Sequence, residues 1–222
     1  MENLTLVIPA KNEKESLPQV LKELEKYKLK IIIVLEKDDV ETIEAISNSG
    51  CTLIFQKTNG YGAALIEGID NVKTKYFCIF NADGSFNPIE LKNMYNKLSG
   101  GFADFVFASR YEKNCSSEDD TIVTRIGNFI FTKIGNIFFK LKITDILYTY
   151  VAGSSEAFKK LNILSQDFAF CIEFPIKANL MNYKLVTSKS NERQRIAGKK
   201  KVNAIKDGLL ILISMIKLFF RN

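Results

Sequence analysis

No histidine occurs among the 222 residues. The side chain that usually titrates near neutral pH is therefore missing, and a general base here must be a carboxylate, lysine, tyrosine or cysteine. Cysteine is sparse: Cys51, Cys78, Cys115 and Cys171 are widely spaced and form no CxxC pair. Neither a zinc site nor a disulfide framework is indicated, and a reducing, cytosolic setting is the simpler reading. A secretory leader is not expected, because the apolar run behind Met1, Glu2 and Asn3 is too short and too acidic. Long apolar runs are lacking as well. The stretch from Gly208 to Phe220 is interrupted by Lys217 and falls short of the roughly 20 residues that span a bilayer. Internal repeats and low-complexity linkers are also absent. With 46% hydrophobic and 25% charged residues, the composition suits one globular domain with a short appendage.

Charge is unevenly placed. Residues 1–120 carry 14 Lys and Arg against 19 Asp and Glu, whereas residues 121–222 carry 17 against 6. An acidic first half and a basic second half point the second half at something anionic, such as phosphates, nucleic acid or a lipid surface; a merely solvated basic face is the plainer alternative.

Strand-length apolar runs occur at Leu4–Pro9, Lys30–Leu35, Thr52–Gln56, Tyr76–Phe80 and Asp104–Ala108. Helical patterns fill the gaps at Glu15–Tyr27, Val40–Ser47, Ala63–Val72 and Pro88–Leu98. This βαβ rhythm predicts an α/β fold: a mainly parallel sheet with helices on both faces. Ligands of such sheets gather outside the carboxyl ends of the strands. The first four strands deliver polar or glycine-rich turns there: Ala10 to Glu13, Glu36 to Asp39, Asn59 to Gly62, and Asn81 to Ser85. That is the layout of a nucleotide pocket. Gly60 and Gly62 let backbone N–H groups approach a ligand, or simply make a tight turn. Asn81 and Asp83 offer oxygen ligands to Mg2+ or Mn2+ beside a diphosphate, or close the strand in an Asx turn before Pro88.

With these motifs in view, the sequence resembles the family 2 inverting glycosyltransferases of GT-A fold, especially the dolichyl- and polyprenyl-phosphate sugar transferase branch. "LVIPAKNEKESL" is similar to that family's opening nucleotide motif, "GYGAALIEGI" to its glycine-rich turn and "NADGSFNP" to its aspartate-x-aspartate motif. "ITDILYTYVAGSSEAF" resembles its acceptor-side segment, "CIEFPIKA" the acidic helix beyond, and "ERQRIAGKKKV" its basic loop. Two departures stand out. Asn81 replaces the motif's first aspartate, and "VLEKDDVETI" lacks the usual Asp-Asp-Gly-Ser turn, leaving Glu36, Asp38 or Asp39 to read the base.

The resemblance implies a GT-A domain over residues 1–201, with a donor half (1–112), an acceptor half (113–201) and a C-terminal hydrophobic helix (202–222). It implies donor contacts from Pro9, Ala10, Asn12, Glu13, Glu36, Gly60, Gly62, Asn81 and Asp83. Asp145 becomes the first choice for acceptor activation and Glu173 the second, although Asp145 also suits a turn cap. Gly153, Ser154, Arg193, Arg195 and Lys201 would meet the acceptor or its phosphate. The expected partners are a nucleotide-diphosphate sugar and a lipid-phosphate or glycan acceptor, with Mg2+ or Mn2+ as cofactor. The basic loop lacks the interleaved aromatics of a nucleic-acid site, so no nucleic acid is expected. A nucleotidyltransferase is the enzymatic rival, without its usual Gly-rich opening loop; a nucleotide-sugar-binding protein that has lost catalysis is the other.

Two helices complete the reading. On residues 126–141, Ile126, Phe129, Ile130, Ile134, Ile137, Phe138 and Leu141 form one apolar face, with Lys133 and Lys140 at its margin. That helix and the C-terminal one either pack into the protein or an oligomer, or lie in a membrane interface. The second option places the protein peripherally on the cytoplasmic face.

Overall fold

Apolar residues bury both faces of the first strand, and the rest of the fold is built around it. The computed structural model describes residues 1–198 and 204–221. The chain runs β1 (Leu4–Pro9), α1 (Leu17–Leu24), β2 (Lys30–Leu35), α2 (Val40–Ala45), β3 (Thr52–Phe55), α3 (Tyr61–Asp70), β4 (Tyr76–Ile79), α4 (Leu91–Ser99) and β5 (Phe105–Ser109). It continues through α5 (Ile122–Phe138), β6 (Val151–Ser154), α6 (Ser155–Lys160), α7 (Phe170–Leu180), β7 (Leu185–Lys189) and α8 (Ala204–Arg221). Alternate residues of β1 serve opposite layers: Leu4, Leu6 and Ile8 pack with Leu17, Val20 and Leu24 of α1, and Val7 packs with Leu65 and Ile69 of α3. A strand covered on both sides needs no polar face, which is why these runs read as continuous apolar segments.

The sheet order is β3-β2-β1-β4-β6-β5-β7. Every neighbouring pair is parallel except those of β6, which runs antiparallel to β4 and β5. The five anticipated strands are present with ends shifted by one residue or left in place. Two strands, β6 and β7, were not anticipated. β6 reads only "VAGS" and carries no alternation; it forms because Gly153 leaves room for two rings, and a Cβ there would stand 2.2 Å from Phe105 and 3.2 Å from Phe77. The first helix is shorter than expected: α1 yields at Glu25–Tyr27 to a 3₁₀ turn, closed by Lys28 at φ 51°.

The segment anticipated as an amphipathic helix over 126–141 is α5, begun by a Thr121–Thr124 capping box. Its most buried residues are polar or small, with Phe131 and Ile134 packed partly against the core beside them. Asn128, Thr132 and Gly135 face inward, whereas Ile126, Phe129, Ile137 and Phe138 face out. Leu141 lies beyond the helix end and is buried.

Candidate active site

The carboxyl ends of β1, β2 and β4 and the start of α3 open into one cavity of about 610 Å³, a size typical of ligand sites. Pro9, Ala10, Asn12, Glu13, Glu36, Gly60, Asn81 and Asp83 line it, as the strand-end reading expects. A larger hollow of about 970 Å³ lies at the opposite end of the first strands, with Glu25 as its single carboxylate and Lys28 and Lys73 among its walls. It gathers no comparable set of reactive groups, so size does not choose the site.

Each donor-side turn is held by its neighbour. Asn12 sits at φ 53° and donates its N–H to Asp39 Oδ2 at 2.7 Å. The Glu13 N–H bonds Thr42 Oγ1 at 2.9 Å, and Ser16 Oγ donates to Glu13 Oε2 at 2.6 Å. Of the three acids after β2, Glu36 faces the cavity and pairs with Lys11 at 2.8 Å. Asp39 holds the Asn12 turn, and Asp38 is exposed.

The close approach at the two glycines is made by the chain's own backbone. A Cβ on Gly60 would stand 2.2 Å from the Gln166 carbonyl oxygen, and one on Gly62 would stand 2.3 Å from that of Ser165. Both glycines let the 165–167 loop close onto the start of α3, where the Ala63 N–H bonds Gln166 O at 3.0 Å. Gly60 reaches the cavity wall; Gly62 does not line it. Tyr61 between them stacks on Phe168 with centroids 5.1 Å apart and shares a 2.7 Å hydrogen bond with Thr149.

Asp83 takes the Asx-turn role and also faces an arginine. Its Oδ1 accepts the Ser85 N–H at 3.0 Å and the Ser85 hydroxyl at 2.7 Å, making an Asx turn through Gly84 at φ 82°. Its Oδ2 turns to the Arg195 guanidinium, 3.5 Å away. Arg195 also grips Asp119 by a fork at 3.2 and 2.9 Å. That hydrogen bonding, against a smaller opposing effect of burial, raises Arg195 above its usual pKa. The loop is fixed over the site by the Ile196 N–H, which donates to Asp83 O at 2.8 Å.

The acceptor-side residues differ more from expectation. Asp145 is only 1% exposed and does not line the cavity. It accepts from the Arg110 N–H at 3.1 Å, Nε at 2.8 Å and Nη2 at 3.0 Å. Its oxygens are thus turned to a guanidinium, and its geometric role is to hold Arg110 rather than to meet an acceptor. Arg110 does reach the cavity, bonds Glu192 at 3.2 Å and lies over the Tyr148 ring at 4.5 Å. Burial disfavours its charge, yet Asp145 and Glu192 keep it well above the usual arginine value.

Glu173 is likewise structural. It is buried, pairs with Lys177 at 2.6 Å and accepts N–H bonds from Leu164 and Ser165. Burial works to raise its pKa, but Lys177 and the Ser165 and Leu164 bonds outweigh it and leave the carboxyl below its usual 4.5. An acid with a depressed folded value stabilises the fold above its unfolded pKa, and that stability is lost as pH falls through the folded value. Urea titrations should therefore show wild-type stability falling as pH drops below about 4.5, with Glu173→Gln less stable at neutral pH and flatter across the acid window. Parallel pH profiles would remove this role.

Gly153 and Ser154 are not at the acceptor end. Antiparallel β6 carries them to the entry end of β4, where Gly153 pairs with Phe77 and Ser154 with Tyr76, and Ser154 caps α6. Arg193 is held away from the cavity by Glu23 at 2.9 Å and the Phe86 carbonyl at 2.7 Å. Lys201 lies outside the described residues. In their place the folded chain delivers Asp119, Asp120, Thr124, Asn128, Tyr148, Thr149, Phe168 and Glu192. Tyr148 and Thr149 lie in the "ITDILYTYVAGSSEAF" segment and Glu192 opens "ERQRIAGKKKV", while Asp119 and Asp120 belong to an "EDD" acidic run ahead of α5. Asp120 accepts hydrogen bonds from the Tyr111 and Thr124 hydroxyls, and no ion pair reaches it among the described residues.

A divalent ion does not fit this donor set as arranged. Asn81 is neutral, Asp83 Oδ1 is spent on its own turn, and Asp83 Oδ2 and Asp119 face a guanidinium. No cluster of three metal-ligating side chains occurs among the described residues.

Comparison with known proteins supports the same assignment. An uncharacterised glycosyltransferase of Mycobacterium tuberculosis (strain ATCC 25618 / H37Rv) is 26% identical over 211 residues, covering 95% of this chain and 94% of that protein. The low-salt glycan biosynthesis hexosyltransferase of Haloferax volcanii is 24% identical over 183 residues, covering 79% of this chain and 44% of that protein. Among solved structures, glucosyl-3-phosphoglycerate synthase from M. tuberculosis, crystallised with Mn2+, uridine-diphosphate-glucose and phosphoglyceric acid, superposes with a TM-score of 0.77. The match has 12% identity and covers 97% of this chain and 79% of that one. Mannosyl-3-phosphoglycerate synthase from Rubrobacter xylanophilus gives 0.74 at 14% identity, covering 98% and 74%. The structural likenesses show the GT-A fold that the family resemblance implies. The family model of glycosyl transferase family 2 matches residues 5–162, the span that carries the donor turns of β1 to β4 and the Arg110–Asp145 pair. The chain is therefore a glycosyltransferase and belongs to glycosyl transferase family 2.

Proposed function

We propose that this protein transfers a glycosyl group from a nucleoside-diphosphate sugar to an acceptor hydroxyl, with inversion at the anomeric carbon. The observation that carries the reading is the meeting of two sides in one cavity: the Asn81–Asp83 turn under Arg195, and Asp120 with Thr124 and Asn128 on α5. Arg195 supplies forked donors for the charge that gathers on the departing diphosphate. In an inverting displacement the acceptor oxygen attacks from the face opposite the leaving group and passes its proton to a base. With histidine absent, Asp120 takes that part, since its partners are neutral hydroxyls rather than a cation.

The lining supports a hydroxyl rather than a phosphate acceptor. Among the described residues it holds Glu13, Glu36, Asp83, Asp119, Asp120 and Glu192 against Lys11, Arg110 and Arg195. A phosphate nucleophile would enter among like charges, whereas a sugar or glycan hydroxyl would find acceptors for its proton. The test is calorimetric titration of uridine, guanosine and thymidine diphosphate sugars, in EDTA and with Mn2+, followed by assay of nucleoside diphosphate release with glycan acceptors. Selective binding of one base with turnover is expected. Binding without turnover for any acceptor would leave a sugar-nucleotide-binding protein, and no binding at all would overturn the donor site.

A further inference from the structure

Helix α5 is turned inside out relative to an ordinary surface helix. Asn128 and Thr132 point inward because they serve the following segment, accepting the Leu147 N–H at 2.9 Å and the Ile146 N–H at 3.2 Å. Gly135 completes this face, where a Cβ would stand 2.9 Å from Ile146. The opposite face presents Ile122, Ile126, Phe129, Ile130, Ile137 and Phe138, each between 48% and 79% exposed. Helix α8 extends the surface. It buries Ile211 and Met215 but leaves Leu209, Ile213, Ile216, Phe219 and Phe220 exposed. The Phe219 ring meets Phe138 edge-on at 5.7 Å, so the two apolar faces are continuous. Scattered surface leucines need no explanation, but a continuous two-helix face does.

Charge identifies what covers it. Arg125, Lys133, Lys140, Lys142 and Lys217 are exposed on these helices and the turn after α5, and none forms an ion pair among the described residues. Helix α5 contains no acidic residue, and Asp207 is the single one in α8. A second copy of this chain placed on the patch would set one cationic fringe against another. An anionic bilayer complements both features: acyl chains take the apolar face and headgroups take the lysines. Neither helix is long and apolar enough to cross a membrane. We infer that α5 and α8 lie flat in the headgroup region of an anionic membrane and dock the enzyme there, independently of the donor and acceptor chosen above. Thr124 and Asn128 line the catalytic cavity from the inward face of α5, so docking sets the acceptor wall about 10 Å from lipid, one helix diameter away.

The full chain should co-sediment with phosphatidylcholine–phosphatidylglycerol vesicles and not with phosphatidylcholine alone, and added salt should weaken the binding. Phe129→Asp with Ile137→Asp should abolish it. Lys133→Glu and Lys217→Glu should each reduce partitioning roughly five-fold or more, about 1 kcal/mol per basic residue at a charged surface. Because the chain has no tryptophan, Phe129→Trp provides a reporter that does not depend on the aspartate variants folding. Its emission should shift to the blue on anionic vesicles. No shift and no co-sedimentation would overturn the proposal. So would a dimer in light scattering that Phe129→Asp dissolves, since the patch would then belong to a second copy.

Discussion

Asp120→Asn is expected to lower kcat by about 10²- to 10⁴-fold, the usual contribution of a positioned general base, while leaving KM for the donor and the melting temperature near wild type. The Tyr111 and Thr124 hydroxyls bond different oxygens of Asp120; the asparagine oxygen can accept from one and its NH2 can donate to the other, so the local geometry has partners to keep. What is lost is the proton-accepting charge. Asp145→Asn separates this role from a structural one. Removing the Asp145 charge leaves Arg110, whose side chain is 11% exposed, with Glu192 as its remaining ion-pair partner. Breaking a buried pair in this way costs on the order of 3 kcal/mol of stability, so Asp145→Asn should lower the melting temperature and disturb donor and acceptor kinetics together. Single-turnover kinetics and thermal melts of the two variants decide the matter. A stable Asp120→Asn enzyme with wild-type rate would end the assignment of Asp120 as base.

Arg195→Ala is expected to weaken donor binding by roughly 10- to 100-fold, the worth of a hydrogen bond to a charged group, and to lower kcat beyond that if the guanidinium follows the diphosphate into the transition state. Arg195→Lys should recover only part of the loss, because a point charge cannot reproduce the fork that now holds Asp119 at 3.2 and 2.9 Å. A second consequence follows from the neighbours. In the alanine variant Asp83 Oδ2 and the Asp119 carboxylate lose their cation, so Mn2+ should tighten donor binding more in Arg195→Ala than in wild type. Calorimetry of nucleoside diphosphate with both proteins, in EDTA and in Mn2+, reads this directly. Equal stimulation by Mn2+ in both proteins would show that Arg195 does not occupy a cation position.

The pocket and the exposed apolar face meet in α5, whose two sides differ in chemistry. Inward Asn128 and Thr132 tie down the 146–147 segment, which leads into Tyr148 and Thr149 of the cavity wall. Outward Ile126, Phe129, Ile137 and Phe138 are left exposed. An amphipathic pattern read from sequence has no sign, so the apolar stripe of residues 126–138 looked equally suited to a core.

Much of the donor half was legible in the chain because it is local. Strand-length apolar runs, each followed at once by a polar or glycine-rich turn, place Ala10, Glu13, Glu36, Asn81 and Asp83 at one rim as soon as the strands are parallel and adjacent. The acceptor half was not, because its residues come together only through a strand that reverses direction. With β6 antiparallel, Thr149 reaches the rim while Gly153 and Ser154 travel to the other end of the sheet. The buried state of Asp145 is likewise non-local: it depends on Arg110, 35 residues earlier, folding back to claim its oxygens. Gly60 and Gly62 were recognisable as glycines that something must approach closely. That the approaching group is the 165–167 backbone was a matter of long-range packing. Signals local to the chain sufficed for the first five strands, the turns after the first four and the chemistry of the donor rim, since each is dictated within a few residues. Which carboxylates face the cavity, which are locked to arginine, and which side of α5 turns outward depend on residues far apart in sequence competing for the same partners, so they emerge only on folding.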